Sequence, residues 1–286
     1  NGSADINHFQ AAGGTGLLFG ELIKAGLMHG DAAVCFGGTL ETACIEPFLD
    51  EGSLQWRAAT NESLDLEVIR PADDAFHPEG GIRLLKGNLG RSLIKTSAVA
   101  AERQRITAPA VVISDQTELK VLFERGDLDR DCVVVARFQG PAANGMPELH
   151  QLMPILGVLQ DRGHAVALVT DGRLSGASGK VPAAIHVTPE AAKGGAIGRI
   201  QDGDVISLDV AAGELCVILD PRTLADRPHP DTPTAQNTAG RGLFKFSREV
   251  VTDAESGGCT LFEPLVMDDL PKGESVSHAA YDHCAS

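Results

Sequence analysis

Short apolar segments in the middle of the chain most constrain what it can fold into. They are rich in branched apolar residues and lack the spacing of an amphipathic helix, which is typical of strands buried inside a protein. The segments are LIKTSAV (93–99), AVVI (110–113), CVVVARF (132–138) and AVALV (165–169).

Helical signals lie between these predicted strands. Asp115 and Glu118 have the spacing of a capping box, which predicts a helix after the second strand. After the third strand, Pro147 suits the first turn of a helix that ends near Gly163. The alternation predicts a largely parallel α/β arrangement, in which loops after neighbouring strands open on the same side of the sheet.

The flanking segments give weaker signals. Residues 1–30 carry apolar residues at helical spacing, and residues 204–220 alternate around a glycine turn, which predicts a hairpin. Short helices are expected at 188–192 and 242–251. The composition of PADDAFHPEGG (71–81) is typical of a linker and predicts a domain boundary.

The charge of the chain limits its partners. The 286 residues carry a net charge of −15, which disfavours binding to nucleic acid or anionic membranes because their phosphates would be repelled. No run approaches the length of a membrane-spanning helix. We therefore expect a cytoplasmic protein without nucleic-acid or membrane partners. A small anionic substrate remains compatible, since a few local cations decide the charge of a pocket.

The cysteines do not have the spacing of a metal site. No CxxC pair occurs, which disfavours a zinc ribbon. Their mostly apolar surroundings favour buried free thiols in a reducing compartment. The six are Cys35, Cys44, Cys132, Cys216, Cys259 and Cys284.

A loop rich in glycine and serine, VTDGRLSGASGK (169–180), follows the strand at 165–169. It fails the phosphate-loop pattern of nucleotide-binding proteins, because Leu174 replaces the first glycine and Val181 follows the lysine. Its backbone N–H groups, Arg173 and Lys180 are nevertheless suited to an anion, at the strand end where α/β sheets bind ligands. The alternative is a purely structural glycine-rich connection.

A second loop, RFQGPAANGMPELH (137–150), follows the preceding strand and offers Asn144 and Glu148. A carboxylate there is suited to a hard divalent cation. The alternative is that Glu148 only stabilises the start of its helix electrostatically. His186 lies in the apolar segment AAIHV, and we interpret it as a hydrogen-bonded core histidine rather than a ligand.

Longer motifs carry a resemblance to a known family. The chain is similar to the dihydroxy-acid/6-phosphogluconate dehydratase family from residue 1 to about 263. The similarity covers the C-terminal half of the family's chain. The variants ADINHF, NGMPELH and SGASGKVPAAIH resemble its 6-phosphogluconate branch. The motifs are NGSADINHFQAAGG, GGIRLLKGNLGRSLIK, GPAANGMPELHQL and TDGRLSGASGKVPAAIHVTPEAAKGGAIGRIQDGD.

The resemblance implies a hydro-lyase that converts 6-phospho-D-gluconate into 2-dehydro-3-deoxy-6-phosphogluconate and water, a step of the Entner–Doudoroff pathway. It also implies a 4Fe-4S iron–sulfur cluster, a magnesium ion and a homodimer. Ser175 corresponds to the proposed base, and Glu148 to a magnesium ligand. The same loops supply the residues expected to bind substrate, namely Asn144, Arg173, Ser178 and Lys180.

The fold implied by the resemblance is an α/β protein with a swivelling, β-barrel-like domain and flanking helices. Residues 1–75 would end a cluster-bearing α/β domain, 76–225 would form the swivelling domain, and 226–286 a loop, a short helix and a tail. None of the cysteines matches the family's cluster motifs, so no cluster ligands are expected in this chain and the chain alone should be inactive. The alternatives are a dehydratase of another sugar acid or dihydroxy acid, or a non-catalytic domain that binds small anions.

Overall fold

The structure, a computed structural model, describes residues 4–77, 80–175, 179–233 and 242–261. The chain divides into two compact units, one comprising residues 1–80 and the other residues 81–286.

The first unit contains two helices and a hairpin. Helix α1 (Ile6–Ala11) begins at a capping box, and α2 (Gly14–Lys24) follows it directly. Strands β1 (Ile45–Asp50) and β2 (Ser53–Ala58) pair antiparallel. This hairpin was not predicted from the sequence, although SLQWRA in β2 alternates polar and apolar residues. The alternation does not mark a buried face here, because every residue of β2 is exposed.

The second unit is built on a closed barrel of eight strands in the order β10-β3-β4-β8-β7-β6-β5-β9. Strands β5 to β8 run parallel through the pairs β5–β6, β6–β7 and β7–β8. Antiparallel pairs and one parallel β10–β3 pair close the circle. The strands are β3 (Ile82–Gly87), β4 (Gly90–Lys95), β5 (Arg105–Ile113), β6 (Cys132–Ala136), β7 (Val166–Thr170), β8 (Ala183–Thr188), β9 (Val205–Asp209) and β10 (Glu214–Val217).

Helices pack against this barrel. The main ones are α3 (Gln116–Arg125) and α5 (Leu152–Asp161), accompanied by α4 (Pro141–Asn144), α6 (Pro221–Asp226) and α7 (Lys245–Val250). Along β6, Val133 and Val135 belong to the barrel core, whereas Val134 packs in the layer that contains helix residues such as Leu156. Because both faces of β6 are buried, the strand reads as a continuous apolar run. The β-barrel-like α/β fold with flanking helices is confirmed.

Several local predictions were wrong. The sheet is not largely parallel, because four of the eight strand pairs of the barrel are antiparallel. Pro147 lies in a loop, and α5 begins only at Leu152. The predicted helix at 188–192 is instead the end of β8, a cis Thr188–Pro189 bond and a short 3-10 turn. The first strand was placed too late, since β4 ends at Lys95.

Other local predictions were confirmed. Asp115 and Glu118 form the capping box of α3, β9 and β10 form the predicted hairpin, and α7 lies within the predicted short helix. In the part of the chain that the structure describes, no helix has the length and apolar character needed to cross a membrane.

The cysteines differ from the expectation of buried free thiols. Cys132 is buried and free, Cys44 and Cys259 are free but half-buried, and Cys35 is free and exposed. Cys216 is disulfide-bonded, so the expectation was wrong for this residue. Cys284 lies outside the described residues.

Candidate active site

The loops after β6 and β7 meet at one end of the barrel, as predicted from their position after neighbouring strands. The two strands are paired in parallel from Cys132 and Val166 to Ala136 and Thr170, so both loops leave from the same edge. An isolated parallel bridge between Glu148 and Arg173 extends this pairing into the loops.

The carboxylate of Glu148 binds two groups of the glycine-rich loop. Its Oε2 atom accepts a hydrogen bond from Nη1 of Arg173 at 3.1 Å, and its Oε1 atom accepts one from the backbone N–H of Ser175 at 3.0 Å. Nε of Arg173 donates to the backbone carbonyl of Met146 at 2.7 Å. These three bonds fix the position of Ser175 relative to the neighbouring loop.

A buried carboxylate lies at the base of the same loop. Asp171 is fully buried, and its Oδ1 atom accepts a hydrogen bond from the backbone N–H of Gln139 at 2.8 Å. Its Oδ2 atom accepts from the N–H groups of Phe138 at 3.1 Å and Ala191 at 2.9 Å. Asp171 therefore connects the ends of three parallel strands. Its burial, together with the nearby Glu190 carboxylate, outweighs these hydrogen bonds and raises the pKa of Asp171 to about 6.

Glu190 is a second buried carboxylate in this region. Its two oxygens accept hydrogen bonds from the backbone N–H groups of Ala142, at 2.9 Å, and Ala143, at 3.1 Å. A Cβ atom on Gly140 would come within 2.8 Å of the Glu190 side chain, so only glycine leaves room for it there. Asp171 and Glu190 together tie the loop after β8 to the loop after β6.

Unusual backbone angles concentrate at this end of the barrel. Among the described non-glycine residues with positive φ, Phe138 has 60°, Met146 52° and His186 57°. Such angles are uncommon outside glycine and persist where surrounding contacts impose them. Their clustering around Asp171 and Arg173 is typical of a functional site.

His186 is not the core histidine that the sequence suggested. Its side chain is half-buried, and no described residue hydrogen-bonds to its ring, while its backbone N–H donates to the carbonyl of Gly172 at 2.9 Å. Burial, and then the positive charge of Arg173, lower the pKa of the imidazole. His186 is therefore a neutral side chain beside the glycine-rich loop at pH 7.

The other predicted site residues occupy different places. The amide of Asn144 donates to the side-chain carbonyl of Gln139 at 3.0 Å and lies in the loop after β6. Nζ of Lys180 binds both carboxylate oxygens of Asp161, at 2.8 and 2.9 Å. Asp161 is the last residue of α5, whose ten residues span about 15 Å, and Glu148 precedes the start of that helix. Lys180 is therefore bound at the end of α5 that is farther along the chain from Glu148. Ser178 lies outside the described residues.

A cleft of about 700 Å³ opens beside these loops. One wall is formed by the loop after β6, including Asn144 and Met146, and by His186. The lining also includes α7 and the segment that follows it, with Ser247, Arg248 and Val251. This volume is in the range of small-molecule sites. The cleft adjoins the Glu148–Arg173 pair, because Met146 lines the cleft and also accepts the hydrogen bond from Arg173.

The described residues do not form a complete metal site by themselves. Glu148 is partly exposed and has the oxygen ligands that magnesium prefers, but magnesium requires near-octahedral coordination. No group of three or more His, Cys, Asp or Glu side chains that could hold a metal occurs among residues 4–77, 80–175, 179–233 and 242–261. These residues therefore supply one suitable magnesium ligand, and they do not fit an iron–sulfur cluster.

The arrangement presents a hydroxyl, a guanidinium and a carboxylate next to a cleft. Ser175 is exposed, and its backbone is held in place by the hydrogen bond that its N–H donates to Glu148. The nearby Arg173 supplies positive charge for an anionic group. Such a set is suited to proton transfer on an anionic substrate.

Comparison with known proteins gives consistent matches. A family model described as dihydroxy-acid/6-phosphogluconate dehydratase C-terminal matches residues 67–258. A phosphogluconate dehydratase of Escherichia coli K12 is 54% identical over 265 residues, which cover 92% of this chain and 44% of that protein. One of Pseudomonas aeruginosa is 52% identical over 266 residues, covering 93% and 44%. A dihydroxy-acid dehydratase of Ignicoccus hospitalis is 33% identical over 252 residues, covering 86% and 42%. The chain spans less than half the length of these relatives.

Proposed function

Because the chain belongs to the dihydroxy-acid/6-phosphogluconate dehydratase family, we propose that it is the C-terminal part of an enzyme that removes water from 6-phospho-D-gluconate. The product would be 2-dehydro-3-deoxy-6-phosphogluconate. The names of the more similar relatives favour this substrate over a dihydroxy acid. Since the chain spans less than half of those relatives, the activity is proposed for the longer protein of which this chain would be part.

The observation that carries this proposal is the double contact of Glu148 with Arg173 and with the backbone of Ser175. In the proposed reaction, Ser175 accepts the proton from the carbon next to the substrate carboxylate, and the electrons of that C–H bond form a C=C bond. The hydroxyl of the adjacent carbon leaves as hydroxide and takes up a proton to become water. The resulting enol then converts to the keto acid.

Serine is a poor base unless its alkoxide is stabilised, so positive charge must lie near it. Arg173 is two residues away and binds the same carboxylate as the Ser175 backbone. We assign Arg173 and Asn144 to substrate binding. Ser178 remains a proposed substrate ligand on the same loop, outside the described residues. Lys180, which the sequence also suggested, is in our proposal an anchor of the loop through its bond to Asp161.

The cofactors are part of the same proposal. Glu148 would contribute one carboxylate to a magnesium ion, with the other ligands and the cysteines of a 4Fe-4S cluster supplied by the remainder of the longer protein. The cluster, when bound, supplies a Lewis acid for the departing hydroxyl. We further propose a cytoplasmic homodimer in which residues 1–75 end the cluster-bearing domain, 76–225 form the domain that carries Ser175, and 226–286 form the C-terminal segment.

The complete enzyme, purified without exposure to oxygen, tests the proposal. Keto-acid formation should be observed with 6-phospho-D-gluconate, at a kcat/KM well above that for D-gluconate or a branched dihydroxy acid. A higher kcat/KM for either of the other two acids would refute the assigned substrate. Absence of keto-acid formation from all three, in protein that contains its cluster and magnesium, would favour the anion-binding domain.

A further inference from the structure

The cleft beside Met146 and His186 has an unusual charge for this chain. Among its described lining residues, Arg248 is the only Lys or Arg, and none is Asp or Glu. The whole chain has a net charge of −15, whereas the described lining of this cleft contains one positive and no negative side chain. A single arginine in such a cleft favours an anionic ligand.

Three acidic side chains of the described segment around the cleft lie close to Lys or Arg side chains. Asp253 pairs with Lys193 at 3.0 Å, and Glu255 pairs with Arg91 at 2.7 Å. On α7 itself, Glu249 lies 3.8 Å from Lys245. These pairs reduce the repulsion that an entering anion would otherwise meet from this segment.

The remaining lining groups suit a phosphorylated sugar chain. Hydroxyl groups of Ser247 and Thr260 lie in the lining, while Val251 and Ala254 contribute apolar surface that lowers the local dielectric and strengthens a charge contact. Arginine binds phosphate through two parallel N–H groups, a geometry that lysine lacks. His186 also lines the cleft, and its neutral ring is suited to sugar hydroxyl groups rather than to a second anion.

The cleft and the Glu148–Arg173–Ser175 cluster are adjacent, and a phosphorylated sugar acid has two separated anionic ends, its carboxylate and its phosphate. We propose that the cleft is the phosphate subsite, in which Arg248, assisted by Ser247, binds the phosphate of the substrate while its carboxylate end lies at the Ser175 loop. This inference rests on the proposed function, and it assigns the recognition of phosphate to α7 rather than to the glycine-rich loop.

Kinetics of the complete enzyme test the subsite. Arg248→Met should raise KM for 6-phospho-D-gluconate about tenfold to a hundredfold, the size of a lost hydrogen bond to a charged group, and change kcat much less. The kcat/KM for D-gluconate, which has no phosphate, should change less than about twofold. Arg248→Lys keeps the charge but loses the paired N–H groups, so it should give an intermediate KM.

Lys245→Met is the matched control, because Lys245 is an exposed cation on the same helix but does not line the cleft. It should leave KM for both substrates unchanged. An equal loss with both substrates in Arg248→Met, or an unchanged KM for 6-phospho-D-gluconate, would overturn the subsite. If Arg248→Met does not fold, Arg248→Lys and Ser247→Ala replace it. Each should raise KM for 6-phospho-D-gluconate and leave kcat/KM for D-gluconate nearly unchanged.

Binding of inorganic phosphate separates this inference from the proposed function. Calorimetry on the complete enzyme should show phosphate binding that Arg248→Met weakens about tenfold or more. If phosphate binds through Arg248 but another sugar acid is the substrate, the proposed function fails and the anion subsite stands. If 6-phospho-D-gluconate is the substrate but phosphate binding is the same in both proteins, the subsite fails alone.

Discussion

The carboxylate of Asp171, at the end of β7, accepts a hydrogen bond from the backbone N–H of Ala191, which follows β8, at 2.9 Å. The same carboxylate binds two N–H groups after β6, so one side chain joins three loops of the candidate site. Each carboxylate oxygen is used, and the group is fully buried. Asp171 thus fixes the point from which the loop of Arg173 and Ser175 leaves the barrel.

Asp171 also makes the stability of the fold depend on pH. Its pKa is raised by burial to about 6 from an ordinary value of 3.8, so the folded state binds this proton more tightly than the unfolded state. The resulting stability is complete below pH 3.8 and is lost as the pH rises through 6. The loss is about 3 kcal/mol. Because part of this loss falls below pH 4, the free energy of unfolding of the wild type, relative to that of Asp171→Asn, should fall by about 2 kcal/mol between pH 4 and 7.

Denaturant unfolding of both proteins at several pH values measures this difference. Other titrating groups cancel because they are shared by the two proteins. A difference that stays constant with pH would show that the carboxylate of Asp171 is not protonated more readily in the folded state.

Gly140→Ala should destabilise the protein. The new Cβ would meet Cδ of Glu190 at 2.7 Å and its Cβ at 2.8 Å, which displaces Glu190 from the N–H groups it binds. We expect a loss of about 1–3 kcal/mol in the free energy of unfolding. Gly157→Ala in α5 is the control, since its Cβ meets only Lys180 Cε at 3.8 Å and it should be neutral or stabilising by up to about 1 kcal/mol. Equal losses would contradict the role of Gly140.

Glu148→Gln should reduce turnover and weaken its dependence on magnesium while the fold is kept. The side chains of Glu148 and Arg173 are partly exposed, and such ion pairs contribute at most about 1 kcal/mol to stability. The melting temperature should therefore change by only a few degrees. Glu124→Gln, which alters a comparable exposed pair with Lys120 on α3, is the control for loss of a surface charge. If activity depends on the magnesium concentration in the same way in both proteins, Glu148 does not bind magnesium. Its role would then be only to position Arg173 and Ser175.

Local signals in the sequence accounted for much of the fold but not for its closure. Capping residues such as Asp115 and the apolar run of β6 depend on neighbours in sequence, and these predictions were confirmed. Closure depends on pairs such as β5 with β9, in which Ile106 lies opposite Leu208. Alternating apolar residues identify a buried face but do not specify which distant strand it joins, so the sequence could not distinguish the barrel from an open parallel sheet.

The same limit applies to the candidate site. The meeting of the loops that carry Glu148 and Arg173 was predicted from their position after neighbouring parallel strands, whereas the ion pair between the two side chains was not. Asp171 and Glu190 gave no comparable signal, because their partners are backbone N–H groups whose direction depends on the folded loops. The segment AAIHV around His186 is apolar because it belongs to β8 of the barrel. His186 itself is half-buried, has a positive φ of 57° and lines the cleft. A strained backbone angle cannot be read from the sequence.

Ser175→Ala is the most direct test of the chemistry, because alanine removes the hydroxyl and keeps the backbone N–H that binds Glu148. The loop should therefore stay in place, and substrate affinity, cluster content and stability should remain close to those of the wild type. Loss of a residue that performs the proton transfer typically costs about two to four orders of magnitude in rate. Ser178→Ala, on the same loop but outside the described residues, should lose much less turnover. If Ser175→Ala keeps more than about a tenth of the wild-type kcat, the loss is too small for the base, and Ser175 would instead bind the substrate or support the loop.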